Sequence, residues 1–295
     1  MFASAIALGL VAASTVFAAP YSNSTLAAKP GNSTTVYKRC GTEISQAKVA
    51  EVEAKFKAEA AIPVHWHVIA KDKTPWGGWL SDKQIRKQID VLNDAYARTG
   101  LKFKLESIDR TIDPQWFYEG CPATGTEANI KRALRKGDRK HYNVYSNEYA
   151  PLCALKEGLL GFSAFPWEWD QLIDGPILDG SVVHWGSLPN GPLLNYDLGY
   201  TLVHEFGHWA GLYHTFQGGC GRDGDFVDDT PDEAGSVNGC PIGLDSCPGR
   251  GIDSIHNYMA WTDDSCMREF TRGQIKRMAA LLKQYRNIKV TIPFW

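Results

Sequence analysis

Residues 204–214 read His204-Glu205-Phe206-Gly207-His208-Trp209-Ala210-Gly211-Leu212-Tyr213-His214, and this stretch decides the interpretation of the chain. His204 and His208 are four residues apart, so one face of a helix presents both imidazoles to a single ion. Glu205 is rotated away from that pair and can reach a water on the ion. Gly211 lets the chain turn sharply out of the helix, and His214 can return as a third nitrogen ligand. Three protein ligands and one open position are typical of catalytic zinc.

The residues between these ligands predict that the helix is buried. Histidines and a glutamate on a buried helix would cost free energy unless something binds them. Zinc would lower the pKa of its water toward about 7 and polarise a substrate carbonyl. Glu205 would take the proton as the water attacks and then deliver it to the leaving amine. The motif therefore predicts hydrolysis of a peptide bond. The apolar residues on which the burial rests are Leu202, Val203, Phe206, Trp209 and Leu212.

Upstream of the motif, hydrophobic periodicity predicts alternating strands and helices. Residues 62–70 are apolar and β-branched, which is typical of a strand, and residues 81–99 form an amphipathic helix with a Ser81/Gln84 capping box. Alternation of this kind predicts an α/β fold with a twisted, mostly parallel sheet. Other strands are predicted at 101–105, 142–146, 159–165 and 181–185, and other helices at 127–136, 196–212 and from Thr271 onward.

Downstream of the motif, residues 215–255 are rich in Gly, Asp, Pro and Cys and show no periodicity. A long irregular stretch inside a domain needs cross-links. Four of the seven cysteines lie in or just after it, and an odd total leaves one cysteine over. The remaining three are Cys40, Cys121 and Cys153.

The N-terminus predicts export. Residues 2–17 form a short apolar run followed by small residues, so we interpret residues 1–19 as a signal peptide. Residues 20–60 resemble a pro-segment and contain glycosylation sequons at Asn23 and Asn32. The dibasic pair Lys38-Arg39 fits either an exposed charged pair or a processing site. One catalytic domain is then predicted over residues 61–295.

Composition excludes several partners. The 295-residue chain has a formal net charge of −2 and no long basic run, which gives no reason to expect nucleic-acid binding or electrostatic docking to a membrane. Outside the predicted signal peptide, no apolar run approaches the length of a membrane span. We therefore expect a secreted, extracellular protein, and we expect it to be a monomer.

The extended motif resembles that of the metzincin zinc peptidases. His256-Asn257-Tyr258-Met259 resembles the methionine turn of these enzymes, which implies that Met259 packs beneath the zinc ligands without binding the metal. The resemblance is closer still to the pappalysin-type branch, peptidase family M43 (subfamily M43B), and to fungal extracellular metalloproteases within it. The residues that carry this closer match are His214-Thr215-Phe216, Gly219-Cys220, Asp228-Asp229-Thr230-Pro231, Asp245-Ser246-Cys247-Pro248 and Asp264-Ser265-Cys266.

The resemblance implies a fold and a set of cross-links. It implies a five-stranded α/β (metzincin-like α+β) sheet above the cleft and an irregular, disulfide-linked half below it. The strand at 159–165 resembles the antiparallel edge strand that pairs with extended substrate. Relatives imply the disulfides Cys220–Cys247 and Cys240–Cys266, and Cys121–Cys153 is then the remaining pair.

Cys40 is left over by this count. Relatives use an Arg-Cys-Gly segment to block zinc until the pro-segment is cleaved, and Arg39-Cys40-Gly41 fits that form. The other interpretations are a stray thiol or an intermolecular bridge.

Three further features of the lower half bear on function. Some relatives bind calcium near the acidic loop, where Asp223, Asp225, Asp228, Asp229 and the Thr230 carbonyl offer oxygen ligands, although such loops are often only solvated. Relatives commonly carry a tyrosine two residues after the turn methionine, and Trp261 stands there instead, which weakens the expected stabilisation of the oxyanion. Asp263 and Asp264 lie near the expected wall of the primed-side pocket, where they would favour a basic residue.

These observations predict a secreted zinc metalloendopeptidase that acts on peptides or proteins. One alternative is a catalytically weak or inactive, zinc-stabilised interaction protein, but a relic of that kind would not need Glu205. A second alternative is a zinc hydrolase with a non-peptide substrate. The methionine turn and the candidate edge strand favour extended peptide.

Overall fold

The computed structural model describes residues 37–41, 62–148, 158–221, 223–249 and 251–293, with the backbone alone for residues 37–40. These residues belong to one unit of the chain, Thr35–Trp295. The predicted signal peptide, the sequons at Asn23 and Asn32, most of the predicted pro-segment and Cys153 lie outside the described ranges.

Six strands form one mixed sheet in the order β1-β5-β6-β4-β2-β3. Strands β2, β3, β4 and β6 run parallel to one another, and β5 pairs antiparallel with β6. The strands are β1 (Tyr37–Cys40), β2 (Ile62–Ala70), β3 (Phe103–Ile112), β4 (Tyr142–Asn147), β5 (Gly158–Ser163) and β6 (Ser181–His184).

Seven α-helices accompany these strands in the described part of the chain. Both predicted capping boxes are present, at Ser81/Gln84 and Thr271/Gln274. The helices are α1 (Asp82–Ala95), α2 (Pro114–Glu119), α3 (Gly125–Leu134), α4 (Glu168–Gln171), α5 (Gly175–Leu178), α6 (Tyr200–Trp209) and α7 (Arg272–Arg286).

The core lies between the sheet, α1 and α6. Strand β2 buries residues on both faces, which its continuous apolar sequence predicts for a central parallel strand. Helix α1 is fastened to α6 by two side chains: Gln88 Nε2 donates to the Gly199 carbonyl at 2.9 Å, and the Tyr96 hydroxyl donates to the Val203 carbonyl at 2.8 Å. The amphipathic helix α1 therefore holds α6 in place against β5 and β6.

The segment from residue 215 to residue 263 contains no helix or strand in its described part. Two disulfides cross-link it, Cys220–Cys247 and Cys240–Cys266, with Cα–Cα distances of 5.4 and 5.5 Å. Both pairs are those that the family resemblance implied. No helix in the described ranges has the length and apolar character needed to cross a membrane.

The predicted α/β architecture is confirmed, with one addition. Five strands come from residues 62–184, and β5 is antiparallel as expected. The sixth strand, β1, belongs to the predicted pro-segment and pairs parallel with β5. Strand β5 therefore has a neighbour on both sides in this structure, because the chain itself supplies a strand for the edge expected to bind substrate.

Candidate active site

Helix α6 carries the motif, and every residue from Thr201 to Trp209 is buried. Gly199 precedes the helix with φ 88°, a left-handed conformation that glycine adopts without strain, and the helix begins at Tyr200. This start is later than the predicted residue 196. The helix ends at Trp209, before Gly211, which has φ 99°. The glycine turn predicted after His208 is therefore present.

The three motif histidines converge. His208 Nε2 lies 3.1 Å from His204 Nε2 and 3.1 Å from His214 Nε2. All three side chains are buried, His214 the least so at 5% exposure. Burial lowers the pKa of His208 to about 4, so its imidazole is neutral at neutral pH. A neutral imidazole is the form that binds a metal.

Backbone carbonyls fix the tautomers of two of these rings. His204 Nδ1 lies 2.7 Å from the Tyr258 carbonyl, and His208 Nδ1 lies 2.8 Å from the Leu212 carbonyl. A carbonyl oxygen only accepts, so each Nδ1 carries the proton and each Nε2 keeps its lone pair. The lone pairs therefore point to the place where the three Nε2 atoms meet.

The donor set fits zinc. Ligand nitrogens at about 2.0–2.1 Å from one tetrahedral zinc ion lie about 3.3 Å apart, and the observed Nε2 separations are 3.1 Å. A three-histidine set leaves one coordination position open. Within the described residues, the only other group of three metal-binding side chains is Cys240, His256 and Cys266, of which the two cysteines are joined as a disulfide.

Glu205 lies beside this centre and is fully buried. Strand β5 approaches it so closely that a Cβ atom on Gly161 would lie 2.7 Å from Glu205 Cγ and 2.7 Å from Oε1. Only glycine at position 161 leaves room for the carboxylate in this arrangement. The strand expected to bind substrate and the expected general base are therefore in direct contact.

Met259 lies beneath the helix and is fully buried. A Cβ atom on Gly207 would collide with Met259 Sδ, so the two residues pack directly against each other. The Met259 amide donates to Asn257 Oδ1 at 2.9 Å, which closes the turn. This is the position that the resemblance implied for the turn methionine.

His214 lies among aromatic rings. Phe216 stacks on it with ring centroids 4.8 Å apart, and Trp261 meets it edge-on at 5.4 Å. Trp261 therefore lies beside His214, the third candidate ligand, at the position where the resemblance expects a tyrosine.

Helix α7 supports the turn that brings His214 back. Arg277 Nε donates to the Gly211 carbonyl at 3.0 Å, and Arg286 Nε donates to the Trp209 carbonyl at 3.1 Å. Arg286 also pairs with Asp179 at 2.8 Å, and both side chains are buried. These two arginines and the carbonyls of Tyr258 and Leu212 were missed in the sequence. Backbone acceptors leave no signal in residue type, and both arginines belong to an ordinary amphipathic helix pattern.

The backbone of β1 reaches the site. Cys40 pairs in register with Gly161, and the Gly41 amide donates to the Gly161 carbonyl at 2.6 Å. Because Gly161 touches Glu205, this brings the Arg39-Cys40-Gly41 segment to the candidate general base. The Cys40 side chain is outside the described part of the structure.

In the acidic loop, two of the carboxylates bond to nearby hydroxyl and amide groups of the protein. Asp225 accepts hydrogen bonds from the Thr230 hydroxyl and the Val227 amide, and Asp229 accepts from the Gly273 amide. Burial raises the pKa of Asp225 to about 7. No group of three acidic ligand atoms forms among the described residues of this loop, which include Asp223 and Asp228. The calcium interpretation gains no support.

Three further predicted residues, Asp263, Asp264 and Cys121, form separate contacts. Asp264 Oδ2 accepts from the Leu198 amide at 2.9 Å, and Asp263 Oδ1 accepts from the Gly239 amide at 3.1 Å. Both carboxylates thus hold loops together. Cys121 is disulfide-bonded, but Cys153 is outside the described residues, so the Cys121–Cys153 pairing stays a prediction.

Relatives with similar sequences are fungal proteins. The extracellular metalloprotease of Pyricularia oryzae is 43% identical over 246 residues, which covers 81% of this chain and 83% of the relative. Extracellular metalloprotease 1 of Coccidioides posadasii is also 43% identical over 246 residues, covering 81% of this chain and 84% of the relative.

Solved structures with a similar fold include two forms of a Tannerella forsythia protein. A promirolysin variant has a TM-score of 0.66 and 25% identity, covering 84% of this chain and 95% of that chain. Mature mirolysin in complex with a cleaved peptide has a TM-score of 0.59 and 27% identity, and the match covers 75% of this chain and 91% of that chain.

The family model "Peptidase_M43: Pregnancy-associated plasma protein-A" matches residues 138–283, a range that holds the three histidines, Glu205 and Met259. Together with the relatives, this match shows that the chain belongs to the Peptidase_M43 (pappalysin) family of metalloproteases.

Proposed function

We propose that the protein is a secreted zinc endopeptidase in which His204, His208 and His214 hold the metal and Glu205 is the general base. The proposal rests on the convergence of the three Nε2 atoms beside the fully buried carboxylate of Glu205. His208 Nε2 lies 3.1 Å from His204 Nε2 and 3.1 Å from His214 Nε2. Membership of a metalloprotease family supports a peptidase. Zinc is the metal that this donor set and this family both favour.

The roles of the side chains follow from their positions. When bound, zinc would lower the pKa of a water molecule and polarise the scissile carbonyl. Glu205 would accept the proton of the attacking water and return it to the leaving amine. Strand β5 offers its backbone to an extended peptide, and Gly161 brings that peptide against Glu205.

The names of the relatives support a peptide or protein substrate and an extracellular location for this protein. Those that match are named extracellular metalloproteases, and a related solved structure holds a cleaved peptide. We therefore propose peptide or protein substrates and secretion as a monomer, directed by residues 1–19.

We also propose that residues 20–60 keep the protein latent. Strand β1 takes the edge of β5 that substrate would need, and its register places Cys40 opposite Gly161. The similarity to the solved pro form covers 84% of this chain, and the similarity to the mature form covers 75%. The Cys40 thiolate is the group that would bind zinc in the latent state.

The alternative is a zinc-stabilised protein with little activity. Trp261 favours it, because the indole stands beside His214 where the family resemblance expects a tyrosine hydroxyl. Glu205 opposes it, because a structural metal would not need a buried carboxylate at this point.

The test compares the secreted chain, after limited proteolysis within residues 20–60 has relieved the proposed latency, with a Glu205→Gln variant treated in the same way. Both proteins are assayed on a peptide library, and their zinc content is measured. We expect one zinc ion per chain in each, and a loss of about 10²–10⁴-fold in cleavage rate in the variant, since it lacks the general base. A metal chelator should abolish wild-type cleavage.

Glu106→Gln, which changes a carboxylate on the partly exposed strand β3, is the matched control and should cleave like the wild type. Zinc binding without any cleavage after that proteolysis would support the alternative. Cleavage that survives Glu205→Gln would contradict the assigned role of Glu205.

A further inference from the structure

A cavity of about 270 Å³ opens at the carboxyl end of β5. Its lining starts on β5 itself with Phe162 and Ser163, continues through Phe165, and reaches α3 and the segment from α4 to α5. Gly41, the residue after β1, also lines it. The cavity thus lies where a chain paired with β5 continues beyond the strand.

The cavity is close to the candidate catalytic centre. Gly161 contacts Glu205, and Phe162 is the next residue along β5. At the far end of the same run, the Phe165 ring meets the His208 ring at 5.4 Å. Consecutive strand residues rise about 3.3 Å, so the cavity begins within a few residues of the position expected for a scissile bond.

The floor of the cavity is a buried ion pair. Lys131 Nζ lies 2.7 Å from Glu127 Oε1 and donates to the Leu178 carbonyl at 2.7 Å. The two side chains are 1% and 9% exposed, and the Lys131 ammonium lies 5.3 Å from the centre of the Phe162 ring. The pair is therefore satisfied within the protein.

Glu168 adds a second carboxylate to the wall. Its Oε2 accepts from the Phe165 amide at 2.9 Å, and its Oε1 forms no hydrogen bond with any described residue. Burial raises the pKa of Glu168, and the hydrogen bond from the Phe165 amide and then the Lys131 ammonium oppose this rise. Two carboxylates facing one ammonium group leave the cavity with a net negative charge.

The rest of the wall is apolar, with Phe162, Phe165, Leu172 and Leu178 contributing most of it. An apolar wall that ends at a carboxylate with no ion-pair partner among the described residues suits a side chain with a hydrocarbon stem and a cationic end. Lysine and arginine have that form.

We propose that this cavity is a substrate subsite that selects a lysine or arginine on the amino-terminal side of the scissile bond, with Glu168 as the residue that determines the selection. The inference rests on the proposed peptidase function. A peptide antiparallel to β5 would place its residues before the cleavage point along Phe162–Phe165, so the selected residue lies about two to four positions before that point.

The experiment profiles a random peptide library with the secreted chain and a Glu168→Gln variant, both first cut within residues 20–60 by limited proteolysis. Glutamine keeps an oxygen for the Phe165 amide and removes the charge. We expect wild-type products to be enriched in lysine and arginine at one position two to four residues before the cut. In the variant this enrichment should be about tenfold lower. Cleavage of peptides with a neutral residue there should change little.

Asp170→Asn is the matched control, because Asp170 is a neighbouring exposed carboxylate on α4 that pairs with Arg139 and does not line the cavity. The control should keep the wild-type profile. Three results would overturn the proposal: no basic preference before the cut, a preference unchanged in Glu168→Gln, or an equal loss on all peptides.

If the wild-type chain cut within residues 20–60 cleaves nothing, the proposed function fails, and binding by the same cut chain then decides the subsite separately. Calorimetry would compare an arginine-containing peptide with its norleucine counterpart on the wild type and on Glu168→Gln. A preference of the wild type for arginine, lost in the variant, would support the subsite. Equal affinities would refute it.

Discussion

The two halves around the motif are held together by different means. Above it, residues 62–214 pack into a continuous core. At its centre the Phe206 ring contacts four other aromatic rings, with centroid distances of 4.7–5.3 Å; these are Tyr96, Phe103, Tyr142 and Trp209. Below the motif, residues 215–263 form no described helix or strand. They contribute Tyr258 and Met259 to the core and otherwise depend on two disulfides and on side chains bonded to backbone. Both halves supply the site, so its geometry depends on two kinds of stabilisation.

The largest effect is expected from breaking the upper core. Phe206→Ala removes a fully buried ring from the aromatic cluster and should lower the free energy of unfolding by about 3–5 kcal/mol, through lost burial and the cavity left behind. Urea denaturation followed by circular dichroism measures this. Leu194→Ala, at an 82% exposed position, is the control and should change stability by less than about 0.5 kcal/mol. Equal losses in the two variants would contradict a packed upper core.

A somewhat smaller effect is expected from opening a cross-link in the lower half. Cys240→Ser with Cys266→Ser frees a loop with a sequence separation of 26 and should cost about 3–4 kcal/mol. Hydrogen exchange should show lost protection in the lower half while the sheet stays protected.

The second cross-link is the matched comparison. Cys220–Cys247 spans 27 residues, so its removal should cost nearly the same if loop entropy governs the effect. Loss of sheet protection in either double variant would show that the two halves unfold as one unit.

The smallest effect concerns pH and also belongs to the lower half. Burial raises the pKa of Asp225 to about 7, so the folded state holds this proton more tightly than the unfolded chain, where the pKa is about 4. Stability from this group is complete below the unfolded pKa and is lost as pH rises to about 7. The free energy of unfolding should therefore fall by about 2–3 kcal/mol between pH 5 and pH 8.

Asp225→Asn tests this, because asparagine retains an oxygen for the Thr230 hydroxyl and does not titrate. The variant should lose that part of the pH slope in denaturation midpoints. A slope that is unchanged in the variant would show that Asp225 titrates normally. Glu233, whose pKa burial also raises to about 7, should keep its own share of the slope.

The same contrast explains what the sequence could predict. Apolar periodicity and capping boxes located β2, α1 and the start of α7, because local patterns determine those elements. The three candidate metal ligands were recognisable because they lie within eleven residues. The disulfide pairs of the lower half came from family resemblance alone, since loop residues carry no period.

Strand β1 was not predicted, for a physical reason. Tyr37–Cys40 has no alternating pattern of its own, and its partners begin at Gly158. Pairing over such a sequence distance depends on the sheet already being formed. The carbonyls that orient His204 and His208 were equally hidden, because the backbone of any residue type can accept a hydrogen bond.

One consequence of β1 concerns competition for the cleft. A strand joined by the chain to the surface it covers has an effective concentration on the order of millimolar, whatever the amount of protein present. An untethered peptide of equal intrinsic affinity would need a concentration on the order of millimolar to displace β1 from half of the molecules. Cutting the connecting segment lowers the effective concentration of β1 to the bulk concentration of the protein. A single peptide-bond break far from the candidate metal ligands would then suffice for β1 to dissociate and leave the cleft open.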